Sequence, residues 1–144
     1  MRGILSVCAV LAVLVGCGGG GGGGADGPIT AAGSWEGFFT PSSMPKQRLA
    51  LVDLAEEPTA DETRPGVQVV SGIGSLKPAN ADTPLIFLTV EGERPNEADV
   101  ALVLSADGYQ DVLFSGHFDG PNRINALLGG SGFVAEAVTM KRID

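Results

Sequence analysis

Apolar and polar residues alternate over most of the chain after residue 33, with the two-residue period of β-strands. Short runs rich in Val, Leu, Ile, Phe and Thr recur, and each is followed by Gly, Pro, Asn or Asp. No helical period extends beyond two turns. The sequence therefore predicts eight strands, over residues 34–40, 48–54, 67–74, 85–91, 100–105, 112–118, 123–128 and 134–142.

Two runs show which face of their strand is buried, because large apolar side chains occupy every second position. Residues 85–91 are apolar on both faces until Thr89, which predicts a strand covered on both sides. Residues 48–54 are also two-sided, so their orientation stays open. The apolar faces are Val100, Leu102 and Leu104 in one run and Val112, Phe114, Gly116 and Phe118 in the other.

The connections between the runs are short, which favours antiparallel neighbours. The sequence thus predicts an all-β fold, an eight-stranded antiparallel up-and-down meander that closes into a small barrel. A two-sheet β-sandwich is the alternative. Four glycines inside the runs, at positions where a small barrel needs bulges or tight bends, fit this prediction: Gly37, Gly72, Gly74 and Gly116.

The N-terminus has a different pattern. Arg2 precedes an apolar stretch over residues 4–15 that only Ser6 interrupts. This stretch is shorter than the roughly 20 residues that a membrane-spanning helix needs, and it is typical of the hydrophobic region of an export signal.

The end of the signal and the residue after it read Leu14, Val15, Gly16 and Cys17. These residues resemble the lipobox of bacterial lipoproteins, which implies cleavage before Cys17 and diacylglycerol on its thiol. An ordinary secretory signal with a chance cysteine is the alternative. Gly18 follows where proteobacterial lipoproteins retained in the inner membrane carry Asp, so the resemblance implies an outer-membrane lipid anchor, with the domain in the periplasm or at the cell surface.

Seven consecutive glycines, residues 18–24, follow the cysteine. With residues 25–32 they predict a flexible tether, whose root-mean-square span is about 20 Å. Low-complexity drift without a selected length is an equal alternative. The predicted organisation is a signal over residues 1–16, lipidated cysteine and tether over 17–32, and a β-domain over 33–144.

The net charge and the cysteine content limit the partners and the covalent cross-links that the domain can have. The net charge is −8, and removal of Arg2 with the signal takes it to about −9, which argues against a nucleic-acid partner. Cys8 also leaves with the signal, so the mature domain has no pair of cysteines for a disulfide. Its stability must come from its core.

Candidate chemistry in the domain is sparse. Ser115, His117 and Asp119 share one strand face, but same-face neighbours lie about 6.6 Å apart, too far for the hydrogen bonds of a catalytic triad. An acidic stretch over residues 53–62 lacks the order of a calcium loop and reads as a solvated loop. We therefore predict no catalytic residue, no metal site, no cofactor and no enzymatic activity.

The domain begins with Gly33, Ser34 and Trp35 and ends near Arg142. This resembles the calycin pattern of lipocalins and avidins, which implies that Arg142 lies over the Trp35 ring at the closed end of the barrel. A plain core role for Trp35 is the alternative. The last hairpin, residues 128–142, also resembles that of small uncharacterised bacterial lipoproteins, a likeness that implies no activity.

Two functions remain: a structural or interaction module of the cell envelope, whose protein partner is open, and a calycin-like binder of a small apolar ligand. The predicted interior side chains are bulky enough to fill a barrel of eight strands, which favours the first. They are Trp35, Phe39, Leu102, Phe114, Phe118 and Met140.

Overall fold

The structure, a computed structural model, describes residues 27–42, 45–78 and 85–144. The predicted signal, Cys17 and the glycine run lie outside the described residues. None of the described residues forms a helix that is long and apolar enough to cross a membrane. Eight strands make up the fold: β1 (Gly33–Phe39), β2 (Gln47–Pro58), β3 (Gln68–Pro78), β4 (Ile86–Arg94), β5 (Asp99–Ser105), β6 (Val112–Phe118), β7 (Arg123–Gly130) and β8 (Phe133–Arg142).

The strands form a closed antiparallel barrel in sequence order, as the hydrophobic pattern predicted. The last strand returns to the first, with Trp35 opposite Arg142 and Gly37 opposite Met140. This seam rules out the two-sheet sandwich. It also leaves no strand edge unpaired, so every strand has hydrogen-bonded neighbours on both sides.

The hydrophobic core is the inside of the barrel. In β6, buried and exposed residues alternate strictly, with apolar residues and Gly116 on the buried face. All six side chains predicted for the interior are almost inaccessible, with exposures of 6% or less. Trp35 and Met140 are fully buried, and they anchor the two strands of the seam.

A bulge explains why the orientation of β2 stayed open in the sequence, and a second bulge lies in β8. In β2 the register shifts between Val52 and Ala55, and Asp53 takes a left-handed φ of 48°. The extra residue lets Leu51 and Leu54 both point inward, although their spacing has the wrong parity for a regular strand. Ala135, with φ 51°, interrupts the alternation of β8 in a similar way.

One expectation about the strands was wrong. Phe87 in β4 is 75% exposed, so the apolar run over residues 85–91 is covered on one face only, through Leu88 and Val90. Of the glycines expected to permit bulges, Gly72 lies opposite the bulge of β2, because its neighbours Ile73 and Ser71 pair with Val52 and Ala55. Gly37 instead allows close packing, because a Cβ there would meet Met140 and a neighbouring backbone oxygen.

Glycine on the inner face gives a sharp test of this packing. A Cβ on Gly92 in β4 would collide with the backbone oxygen of Ala101 and the Cα of Leu102, whereas a Cβ on Gly129 in β7 would meet nothing within 4 Å. We expect Gly92→Ala to lower the free energy of unfolding by about 1–3 kcal/mol, measured by chemical denaturation. Gly129→Ala, the matched control, should change it by less than about 0.5 kcal/mol. Equal effects would contradict the close approach of β4 and β5.

Candidate functional site

The two ends of the barrel differ in structure. At the closed end, where β1 begins and β8 finishes, Trp35 and Arg142 lie side by side. At the open end, where β1, β3, β5 and β7 finish, the interior is reached through a pocket. Each end is assembled from residues that are far apart in the sequence.

The guanidinium of Arg142 covers the indole of Trp35. Its Cζ lies 4.3 Å from the ring centroid, in the range of cation–π contacts. The ring of Phe118 also packs against Trp35, edge-on and with a distance of 6.2 Å between the ring centroids. The structure therefore brings together the two residues that the sequence singled out as a pair.

The same guanidinium binds three backbone carbonyls. Arg142 donates hydrogen bonds to the oxygens of Thr30 at 2.9 Å, Ala32 at 2.6 Å and Pro121 at 3.0 Å. Thr30 and Ala32 precede β1, and Pro121 lies in the turn between β6 and β7. Arg142 thus connects the segment that enters the barrel to a turn near the other end of the sequence.

The entering segment, residues 29–32, lies across the closed end of the barrel. Ala31 is fully buried, and its carbonyl accepts a hydrogen bond of 3.0 Å from Nε1 of Trp35. The amide of Ala31 and the hydroxyl of Thr30 donate to the Oε2 of Glu56 at 2.6 and 2.9 Å. Although these residues belong to the expected tether, the chain already packs on the barrel four residues before β1.

Glu56 is buried, against the expectation that the acidic stretch is a solvated loop. The reason is that β2 continues to Pro58, and its bulge turns Glu56 toward the interior. There its Oε1 accepts two hydrogen bonds from Arg94, at 2.8 and 3.0 Å, and the two side chains are only 8% and 12% exposed. Within the described ranges, acidic residues, histidines and cysteines form no group of three that would hold a metal ion.

The carboxylate of Glu56 is ionised at neutral pH despite its position. Burial alone would raise its pKa, but hydrogen bonds from Arg94, the Ala31 amide and the Thr30 hydroxyl favour the charged form. Together with the charge of Arg94 they lower the pKa below the ordinary value. The side chains of Glu56, Arg94 and Arg142 therefore form a polar layer at the closed end, in which each charge has hydrogen-bond partners.

Strand parity in the sequence indicates that Arg94 points inward, but it does not indicate this for Glu56. Arg94 has the same strand parity as the buried Leu88 and Val90, so an inward arginine at the end of β4 was readable. The parity of Glu56 becomes visible only when the bulge at Asp53 is known, because a regular strand would turn Glu56 outward.

The three residues considered as a triad lie on the outer surface of the barrel. Ser115, His117 and Asp119 are all exposed. Nδ1 of His117 lies 2.8 Å from a carboxylate oxygen of Asp99 on the neighbouring strand, and this hydrogen bond lowers the pKa of Asp99. The arrangement is an exposed cross-strand pair on β5 and β6.

At the open end the core ends in an apolar pocket of about 160 Å³. Strand ends and two turns form its walls, and the polar side chains of Gln47, Tyr109, Gln110 and Ser131 also contribute. Tyr109 is 58% exposed and lies at the rim. The apolar lining comes from Leu76, Ile86, Leu88, Leu104, Ala106, Val112 and Phe133.

Comparisons with known proteins do not assign a family. No protein-family model matches the chain, and a search among curated proteins finds no match. The function is therefore inferred from the residues and the geometry alone.

Loss of the guanidinium should open the closed end. We expect Arg142→Ala to lower the free energy of unfolding by about 2–3 kcal/mol, because the cation–π contact and the hydrogen bonds to three carbonyls are lost. Trp35 fluorescence should move to longer wavelength as water reaches the ring. Arg123→Ala removes an exposed arginine near the same turn, and the expected change is below about 0.5 kcal/mol. An unchanged stability and emission in Arg142→Ala would contradict the stack.

The Glu56 layer predicts a defined pH dependence. Because the folded-state pKa lies below the ordinary value of 4.5, the ionised carboxylate stabilises the fold above that pH. This contribution is lost as the pH falls through the folded-state pKa. Glu56→Gln should cost about 1–3 kcal/mol at pH 7, and its difference from the wild type should shrink below pH 4.5 in denaturation experiments.

Glu57→Gln is the control for this experiment, since Glu57 is the exposed neighbour of Glu56. Its stability should follow the wild type within about 0.5 kcal/mol across the pH range. A difference between wild type and Glu56→Gln that stays constant with pH would show that the carboxylate does not carry the effect.

Proposed function

We propose that the protein is a lipid-anchored interaction module of the bacterial cell envelope, attached through Cys17 and presenting the open end of its barrel. The observation that carries this proposal is the difference between the two ends of the barrel. The chain arrives from the lipobox side at the closed end, where residues 29–32 are held by Arg142 and Glu56. The pocket lies at the opposite end.

The filled interior supports an interaction module over a carrier that encloses its ligand. Trp35, Phe114 and Met140 occupy the centre of the barrel with exposures of 1% or less. A barrel of eight strands has room for its own side chains or one small ligand, and here side chains take most of that room. The pocket at the open end is the remaining apolar space near the core.

A second function, calycin-like binding of a small apolar ligand, is favoured by the lining of this pocket. Seven of its residues are apolar, and a cavity of about 150 Å³ with such a lining accepts a molecule the size of benzene. A small apolar molecule retained by the protein purified from its host, seen by native mass spectrometry, would favour this function.

Lipid attachment is tested by exchanging the two cysteines separately. Cys17→Ser should abolish incorporation of labelled fatty acid and release the protein from the membrane fraction, because it removes the thiol that carries diacylglycerol. Cys8→Ser, the matched control, should leave both unchanged, since Cys8 leaves with the signal. A Cys17→Ser protein that is still acylated would refute the anchor.

A further inference from the structure

We infer that the pocket at the open end is the anchor site of a protein-docking surface and receives one aromatic or leucine side chain of a partner polypeptide. This inference rests on the proposed interaction function and adds the chemistry of the partner. Three observations carry it: the size of the pocket, the apolar surface beside it and the position of the chain outside the described residues.

The pocket has the size of one large apolar side chain. Its volume of about 160 Å³ is close to that of cavities that take a single benzene ring. Pockets that hold whole drug-sized ligands start at about 300 Å³. This volume matches one phenylalanine or leucine side chain better than a long acyl chain.

The apolar surface continues from the pocket onto the outside of the barrel. Leu88 and Ala106 line both the pocket and a shallow surface hollow that also contains Ile73 and Phe87. Phe87 pairs with Ser75 in the β3–β4 ladder, so it lies diagonally from Ile73 on the outer face. Their exposures are 75% and 58%. A polypeptide that inserts one side chain into the pocket can cover this surface with its flanking residues, as hot-spot interfaces do.

The N-terminal tether does not supply the occupant. Residues 17–26 contain only cysteine, glycine, alanine and aspartate, and the chain joins the barrel at the closed end. Residues 79–84 contain no large apolar side chain either, so Met44 is the one such residue in the mature chain outside the described ranges. Met44 is therefore the competitor within this chain that the test must distinguish from the aromatic or leucine side chain of a partner.

The test uses the mature lipidated protein in phospholipid nanodiscs and three probes followed by NMR. N-acetylphenylalaninamide should shift the resonances of Leu104, Val112 and Phe133 and bind in the millimolar range. N-acetylalaninamide should bind at least about tenfold more weakly, because it leaves the pocket unfilled. Laurate represents the lipid alternative, and tighter binding of laurate than of the phenylalanine amide would overturn the inference.

Matched variants locate the binding. Ala106→Leu places a larger side chain at the pocket and should weaken binding of the phenylalanine amide by at least about tenfold. Ala101→Leu makes the same change at an exposed position of β5, outside the pocket, and should leave binding unchanged within about twofold. Equal affinities of the two variants would overturn the site. Binding that becomes tenfold tighter in Met44→Ala would make Met44 the occupant and overturn the partner.

Photocrosslinking in the host tests the partner itself. p-Benzoylphenylalanine in place of Phe87 should form a protein adduct that Ala106→Leu reduces at least about tenfold, whereas the same group in place of Leu127, on β7, should not form it. Phospholipid adducts or the absence of a pocket-dependent protein adduct would overturn the inference. Cys17→Ser distinguishes failure of the proposed lipid anchor from failure of the proposed docking site. Loss of lipidation is measured by fatty-acid labelling, and the substitution leaves the pocket intact.

Discussion

The guanidinium of Arg142 holds together parts of the chain that the barrel alone would leave separate. It stacks on Trp35 across the seam between the first and last strands and binds carbonyls of the entering segment and of the β6–β7 turn. Because a buried charge is costly unless its donors are used, this position determines the path of the chain around it. The Glu56–Arg94 pair completes the same layer from β2 and β4.

Because of this polar layer, the two ends of the barrel differ in chemistry. One end is closed by charged side chains with full sets of partners, and the other ends in apolar walls beside exposed Phe87 and Tyr109. A lipid anchor upstream of residue 29 would pull on the closed end, where several hydrogen bonds secure the chain. The open end would then be the surface most accessible to other molecules.

The alternation of side chains was sufficient to predict the strands whose periodicity is regular. β5 and β6 were oriented correctly, because a strand with one covered face needs only its parity. The orientation of β2 stayed open, since the bulge at Asp53 exchanges the faces within the strand. Glu56 was interpreted as part of a solvated loop for this reason, and the inward position of Arg94 follows only once β4 is seen to continue to that residue.

The sequence by itself determined the number of strands, their order as a meander and the identity of the core side chains, because these depend on local periodicity and short turns. It also singled out Trp35 and Arg142. Only the tertiary structure decided that Glu56 is buried, that residues 29–32 lie across one end, and that the apolar pocket lies at the other. Those features arise where the inner faces of distant strands meet at the rim, and the register there follows from bulges and barrel closure that no local pattern records.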